Sequence, residues 1–204
     1  MTGTQKINQP GRFGTAVSTT TSFLAVLWAV QLINALSNYR LTAFGIHPRS
    51  VEGLIGVAAA PFLHASWMHL IANSVLGAVL LFTLSFSGQR VVVASSVIIA
   101  VCSGLGTWLI APAYTVHVGA SGLIFGWLTF LIVRGLFSGR VIEILVGLVV
   151  LLTYGSVLWG VFPGTEGISW QGHLFGAVGG VVAAWMLAGR RGLAGGKTKE
   201  VMGG

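Results

Sequence analysis

Long apolar stretches, separated by short segments with polar residues, glycine or proline, make up most of this chain. A helix needs about 20 apolar residues to cross the hydrocarbon core of a bilayer. We therefore predict six membrane-spanning helices, over residues 20–36, 67–86, 91–111, 121–134, 141–161 and 170–187. The boundary between the third and fourth spans rests on "APAYTVHVGA", where proline, polar residues and glycine interrupt the apolar pattern.

The segment between the first two spans does not fit a simple turn. The chain from Gly53 to Gln89 carries no charged residue, yet it has room for only one span. Part of "GLIGVAAAPFLHA" should therefore be embedded or interfacial without crossing the bilayer. Such backbone is tolerated at membrane depth only where protein covers it or water reaches it.

Composition supports the membrane interpretation. The 204 residues are 54% hydrophobic and only 7% charged, whereas soluble domains carry about 25% charged residues. The chain is thus predicted to be an all-α membrane protein. A net charge of +7 does not indicate nucleic-acid binding, because the basic residues lie in short loops and tails rather than on one clustered face. The single cysteine, Cys102, excludes an intrachain disulfide.

The basic residues also predict the orientation, because they collect on the cytoplasmic side of membrane proteins. With six spans, both termini share one side, and that side holds nine of the basic residues: Lys6, Arg12, Arg90, Arg134, Arg140, Arg190, Arg191, Lys197 and Lys199. Only Arg40 and Arg49 fall on the other side. We predict a cytoplasmic segment over 1–19, a six-helix membrane domain over 20–188 and a basic, flexible cytoplasmic tail over 189–204.

Polar groups within spans are costly and indicate function, and three groups are conspicuous. His69 and Asn73 lie one turn apart on one face of span two. Ser121 lies in "GASG" at the predicted start of span four, where a helix offers free N–H groups and the positive end of its dipole. His173 lies about one turn into span six. The predicted topology places all three groups at one depth, near the outer surface.

Glycines at four-residue spacing predict close contact between spans four and six. They are Gly122 and Gly126 in span four and Gly172, Gly176 and Gly180 in span six. Such contact would bring Ser121 within hydrogen-bond reach of His173. The chemistry that fits is acyl transfer by a serine that a histidine activates, without an acidic third member, because the chain has no Asp. His69, Asn73 and the Ser121 N–H would stabilise the oxyanion.

Simpler interpretations stand beside each of these. Ser121 could bond its own helix, and His69 with Asn73 could be an interhelical clamp. Phe125, one turn after Ser121, is either core or support for the His173 ring. His64 would fix a loop or support a neighbouring side chain. A zinc site is not favoured, because "HLIAN" is not HExxH and no carboxylate accompanies the five histidines.

The chain resembles the rhomboid intramembrane serine proteases. "PFLHASWMHLIAN" is similar to the family's HxxxN segment, "GASG" to its GxSG nucleophile motif and "GHLFGAVGG" to its HxxGxxxG segment. Together, in this order and each at the start of a span, they are specific. The resemblance implies a six-helix bundle with Ser121 as nucleophile and His173 as base. It implies an oxyanion hole of His69, Asn73 and the Ser121 N–H, with Gly119 lining it.

The same resemblance implies substrates that are single-span membrane proteins, cut near the outer face, and neither metal nor other cofactor. Span five and "FPGTEGISW" would form a lateral gate and lid. A bacterial cell membrane is the expected location, and the oligomeric state is open. Two departures are notable: Ile55-Gly56 stands where many relatives have Trp-Arg, and Phe125 replaces a common Tyr.

Two other functions compete with proteolysis. The same scaffold could bind membrane-protein clients without cutting them, although inactive relatives typically lack the serine or the histidine that this chain retains. A small-solute or proton transporter could use the same polar residues, but the two-fold repeat expected of such proteins is not evident.

Overall fold

Six long helices form a bundle in the computed structural model, which describes residues 11–164 and 167–188. They are α1 (Arg12–Leu36), α2 (Trp67–Ser85), α3 (Gln89–Ile110), α4 (Ser121–Ser138), α5 (Val141–Tyr154) and α6 (Trp170–Leu187). A 3-10 helix, Gly155–Val161, continues α5. The predicted basic tail, 189–204, lies outside the described residues. So do residues 1–10 of the predicted N-terminal segment and Thr165 and Glu166 of the predicted lid.

The all-α membrane architecture is confirmed. Helices α1 to α5, the last with its 3-10 extension, are long and apolar enough to cross a membrane. Helix α6 also packs within the bundle. It is not among these five, because Gln171 and His173 in its first turn lower its mean hydropathy. The number of spans and the side on which the termini lie stay predictions.

Two predicted boundaries differ clearly from the structure. Helix α1 begins at Arg12 rather than near residue 20. The polar residues Ser18 and Thr21 fit within the helix because their hydroxyls donate to backbone carbonyls of the preceding turn. Helix α4 continues past Arg134 to Ser138, because Gly139 in a left-handed conformation ends it. The fifth predicted span, 141–161, agrees with the structure in its bounds, although its helix changes to 3-10 geometry at Gly155.

Helix α4 is the centre of the bundle. It packs against α6, α5, α3 and α2. Its fully buried side chains include Trp127, Leu128 and Phe130, and the core around them is shared with leucines of α1 and α2. The residues that follow Ser121 in the chain are therefore held on several sides.

The uncharged segment before α2 forms the predicted non-crossing element. It is a short apolar helix, Glu52–Phe62, that packs against α3 where Val57 meets Gly104. Because Ile55-Gly56 stands where many relatives have Trp-Arg, the sequence did not indicate how this short helix is anchored. The structure supplies other anchors: the Arg49 guanidinium donates to the Ala111 carbonyl at 2.7 Å, and the Trp108 ring N–H donates to the Ser50 carbonyl at 2.7 Å.

Candidate active site

One cavity of about 930 Å³ gathers the polar side chains that the sequence singled out. It lies at the end of the bundle where α2, α4 and α6 all begin. Its lining includes His69, Asn73, Ser121, Phe125 and His173. Three helices that are distant in sequence thus deliver their first turns to one space.

Ser121 is the first residue of α4, and the helix end it occupies is uncapped. Ala120 precedes it without a side-chain cap. Within residues 11–164 and 167–188, neither the backbone N–H nor the hydroxyl of Ser121 has a hydrogen-bond partner. A free N–H at the positive end of a helix dipole attracts negative charge. The start of α4 is therefore electrostatically suited to an anion in the cavity.

Gly119 has a conformation that only glycine adopts readily, with φ +123°. A Cβ at this position would lie 2.6 Å from the His69 ring. Its backbone N–H is already used, since it donates to the Ala60 carbonyl at 2.8 Å. Gly119 consequently lines the space between His69 and Ser121, but its N–H is not a free donor there.

Asn73 supplies an orphan donor beside the serine. Its side chain is buried, with 7% exposure, and its Nδ2 has no hydrogen-bond partner. Buried donors without partners are rare, because each costs about 1–3 kcal/mol. Ser66 caps the helix start by accepting the His69 N–H at 3.1 Å, which orients the turn that carries both His69 and Asn73.

His64 connects the loop before α2 with the start of α4. It is fully buried, its ring lies edge-on to His69 with centroids 5.0 Å apart, and its Nε2 faces the Ala120 N–H at 3.4 Å. The His64 carbonyl accepts from Asn34 of α1 at 3.1 Å. Burial, and to a lesser degree the His69 ring, lower the pKa of His64 to about 4. A neutral His64 ring therefore supports His69 from behind.

His173 is held on two sides. Its ring stacks on Phe125, with centroids 4.1 Å apart and 10° between the planes. Its Nδ1 lies 2.9 Å from the Gly160 carbonyl oxygen. Because a carbonyl can only accept, Nδ1 carries the proton and Nε2 keeps its lone pair in the neutral ring. The tautomer is the one a general base needs, and a backbone carbonyl selects it instead of a carboxylate.

The predicted glycine contact between α4 and α6 is present at Gly176 and Gly180, whereas Gly172 faces Thr107 and Ser103 of α3. A Cβ on Gly176 would collide with the Gly122 backbone, and one on Gly180 would collide with the Gly126 backbone. The Thr129 hydroxyl donates to the Ala177 carbonyl at 2.8 Å across the same interface. The helices therefore meet backbone to backbone, as small residues at this spacing allow.

The hydrogen bond expected between Ser121 and His173 is not formed. The two side chains line the same cavity, but no hydrogen bond joins them in this structure. Close helix packing brings the backbones together without fixing the last rotation of each side chain. Catalytic hydrogen bonds are often long or misaligned before substrate binds.

Two features of the site were not predicted. One is Gly160, for which the sequence holds no signal, because it acts through a carbonyl that every residue possesses. The other is a chain of hydrogen bonds at the start of α6. Ser169 caps the helix by accepting the Gly172 N–H at 3.3 Å and contacts His117 Nδ1 at 2.8 Å. The other ring nitrogen of His117 contacts Thr115 at 2.8 Å.

The hydrogen bonds among Thr115, His117 and Ser169 allow one consistent assignment of protons. The Thr115 hydroxyl donates to the Pro112 carbonyl at 2.7 Å, so it accepts from His117 Nε2. His117 Nδ1 then accepts from the Ser169 hydroxyl. Burial, with a contribution from His47, lowers the pKa of His117 and favours this neutral ring. A serine just before an apolar run is a known capping signal, so Ser169 could have been found from the sequence.

These observations define a helical membrane protein with an uncapped serine and an oriented histidine in one cavity. A family model described as the Rhomboid domain matches residues 52–190, and the chain belongs to the rhomboid family. The match covers every residue that lines the serine's cavity.

The chain is similar to proteins from mycobacteria. An uncharacterized protein of Mycobacterium tuberculosis is 47% identical over 193 residues, which cover 91% of this chain and 80% of that protein. An uncharacterized protein of Mycobacterium leprae is 43% identical over 175 residues, 82% of this chain and 69% of that protein. No solved structure matches the chain significantly.

Proposed function

We propose that this protein is an intramembrane serine endopeptidase that cuts single-span membrane proteins near the outer face of a bacterial cell membrane. The observation that supports this most strongly is the setting of His173. The ring is stacked on Phe125, its Nδ1–H is held by the Gly160 carbonyl, and its Nε2 is left as a base in the cavity of Ser121.

The proposed reaction begins with attack of the Ser121 Oγ on the scissile carbonyl carbon, while His173 Nε2 takes the hydroxyl proton. The carbonyl oxygen becomes an oxyanion, to which the Ser121 N–H, Asn73 Nδ2 and His69 donate. Collapse of this intermediate breaks the C–N bond. His173 returns its proton to the departing amine, and the substrate's carbonyl stays bound to Ser121 as an ester.

The second half hydrolyses that ester. A water molecule attacks the ester carbon, and His173 again accepts the proton and then returns it to Ser121 Oγ as the C–O bond breaks. The cavity offers room for water beside the serine. The free donors of Asn73 and Ser121 are in place before charge develops, which is what preorganised stabilisation requires.

Substrate would enter sideways. Helices α2 and α5 do not pack together along their lengths, so we propose that substrate enters between them. The outer part of α5 and its 3-10 extension present exposed Leu152 and Trp159. A transmembrane segment arriving in the lipid would meet this side of the molecule first.

Cleavage of a tagged single-span reporter, with the protein and reporter in one vesicle, tests the proposal. Ser121→Ala and His173→Ala should each lower the rate by about 10⁴-fold or more. A serine-reactive fluorophosphonate should label the wild type and not Ser121→Ala. Ser156→Ala, an exposed serine on the extension of α5, is the matched control and should cleave normally. Equal cleavage by wild type and Ser121→Ala would refute catalysis, and retained reporter binding would then favour a non-catalytic client-binding protein.

A further inference from the structure

A second cavity of about 460 Å³ lies at the opposite end of the bundle from Ser121. It is enclosed by the beginning of α1, the end of α2, the end of α4 and the beginning of α5. Three arginines, Arg12, Arg134 and Arg140, line it together with one carboxylate, Glu143. The cavity is thus cationic, and the proposed proteolysis does not use it.

Arg134 is unusual because it is buried without enough partners. Its exposure is 7%, and its guanidinium lies 5.1 Å over the Phe130 ring. Its Nε is 3.1 Å from a Glu143 oxygen but lacks hydrogen-bond alignment, and its Nη1 has no partner. Guanidinium is a fork of five donors that favours oxyanions such as phosphate. Because Nε and Nη1 are themselves shielded from the cavity, Arg134 contributes mainly its positive charge to the cavity that it lines.

Glu143 is the ion-pair partner of Arg134, but its charge is shared with other groups. One of its oxygens accepts from the Ser138 hydroxyl at 2.6 Å, and the other pairs with Arg140 at 3.2 Å. Arg12 is exposed and Arg140 has 54% side-chain exposure, so both can turn toward an incoming anion. Three positive charges against one negative charge leave a local excess of about two, which favours an anionic occupant.

The position of the cavity indicates where that anion comes from. Thirteen residues of α4 separate Arg134 from Ser121, about 20 Å at 1.5 Å per residue. If Ser121 lies a turn below one surface of a core about 30 Å thick, Arg134 lies about a turn below the other. The cavity wall is apolar at Leu131 and Val146 and is formed in part by the end of α2 and the beginning of α5. An apolar wall would stabilise the acyl chains of a lipid, whereas it would contribute nothing to the binding of a small soluble anion.

We propose that this cavity binds the phosphate of an anionic membrane lipid, with Arg134 at its base and Arg140 and Arg12 at its mouth. The phosphate would offset the positive charge that Glu143 alone does not neutralise, the exposed Arg12 and Arg140 would donate to its oxygens, and the acyl chains would lie along the apolar wall. Basic pockets between transmembrane helices are suited to lipid head groups in this way. The site is independent of the proposed peptidase activity.

Binding of dioleoyl-phosphatidylglycerol to the detergent-purified full chain tests the site, with dioleoyl-phosphatidylcholine as the neutral comparison. Native mass spectrometry reports the amount of lipid retained, and thermal unfolding reports protection by the lipid.

The double variant Arg12→Gln/Arg140→Gln removes only exposed charges, so it should fold, and it should weaken phosphatidylglycerol retention by about tenfold or more. Arg134→Gln should weaken it further. Arg90→Gln, a basic residue on the same predicted side but outside the cavity, should change retention less than twofold.

Three results would overturn the proposal. Equal retention of the two lipids would exclude charge recognition. An equal loss in Arg90→Gln and in the double variant would indicate diffuse surface attraction rather than a site. Inorganic phosphate that protects the wild type as well as phosphatidylglycerol, at the same phosphate concentration, would replace the lipid with a soluble anion.

Discussion

Helices α4 and α5 are neighbours in sequence and in space, yet their surroundings are opposite. Within the protein, 61% of the spanning stretch of α4 is buried, against 11% of that of α5. The more hydrophobic of the two is nevertheless α5. In a bilayer, lipid is as apolar as leucine, so hydropathy does not report packing. Small residues do: glycines let α6 reach the backbone of α4, whereas α5 carries large exposed side chains.

The proposed catalytic groups are also divided unequally between the buried part of the bundle and α5. Ser121 and His173 belong to the tightly packed pair α4 and α6, while the only contribution of the α5 extension is the Gly160 carbonyl that holds His173. Moving the extension of α5 to admit a substrate would therefore disturb this hydrogen bond and the packing of Val157 and Leu158 on the core, and would leave the glycine contact between α4 and α6 intact. Four substitutions test this division, from the largest expected effect to the smallest.

Gly176→Val should strongly destabilise the protein, because its side chain would collide with the Gly122 backbone rather than with a flexible side chain. Overpacking costs about 1–3 kcal/mol, and a clash with backbone belongs at or above the upper end. Thermal unfolding and accumulation in membranes are the measurements. Val178→Leu, on an exposed face of the same helix, is the control, and equal stability of the two variants would contradict the close contact.

Acid should destabilise the protein through His64. Its pKa in the folded chain, about 4, lies below the ordinary 6.5, so the unfolded chain takes up the proton first as pH falls. Stability is then intact above pH 6.5 and falls between pH 6.5 and 4, by about 3 kcal/mol in total. Unfolding measured across this range should depend less on pH in His64→Gln. An unchanged slope would mean that His64 is not the group responsible.

Gly160→Ala should lower activity while leaving the fold intact. A Cβ there would lie 2.8 Å from Phe125 and 3.3 Å from His173 Nδ1, so it would displace the carbonyl from the ring. A hydrogen bond to a group that becomes charged is worth about 1.5–3 kcal/mol, which corresponds to a loss of about 10- to 100-fold in kcat/KM.

The matched control is Gly164→Ala, further along the same connection, where an added Cβ has open space. It should retain normal turnover and thermal unfolding. If Gly160→Ala lost stability as severely as Gly176→Val, the extension of α5 would belong to the rigid part of the molecule and the division would be wrong.

Ser169→Ala should have the smallest effect. It removes the cap of α6 and the hydrogen bond to His117, and loss of a helix cap costs about 1 kcal/mol. The melting temperature should fall by a few degrees with cleavage reduced in proportion to the folded fraction. A large loss of kcat without a change in melting temperature would instead give His117 a direct part in orienting His173.

Much of the site was accessible from the sequence because its signals are local. The pair His69 and Asn73 shares a helix face through their spacing alone. Ser121 between small residues at a helix start, and the glycine repeat before and after Gly176, also need only neighbouring letters to interpret. The family match supports these motifs together, while the roles of the individual residues stay predictions.

Apolar stretches, charge asymmetry and glycine spacing thus determined by themselves the helical membrane architecture and which side chains share a cavity, because helix periodicity converts spacing directly into a face. Only the tertiary structure decided which tautomer His173 adopts, that Ser121 and His173 are not hydrogen-bonded, and that Arg134 is buried beside Glu143. These depend on where backbone carbonyls and whole side chains meet after packing. A carbonyl such as that of Gly160 is common to every residue and leaves no mark in the sequence.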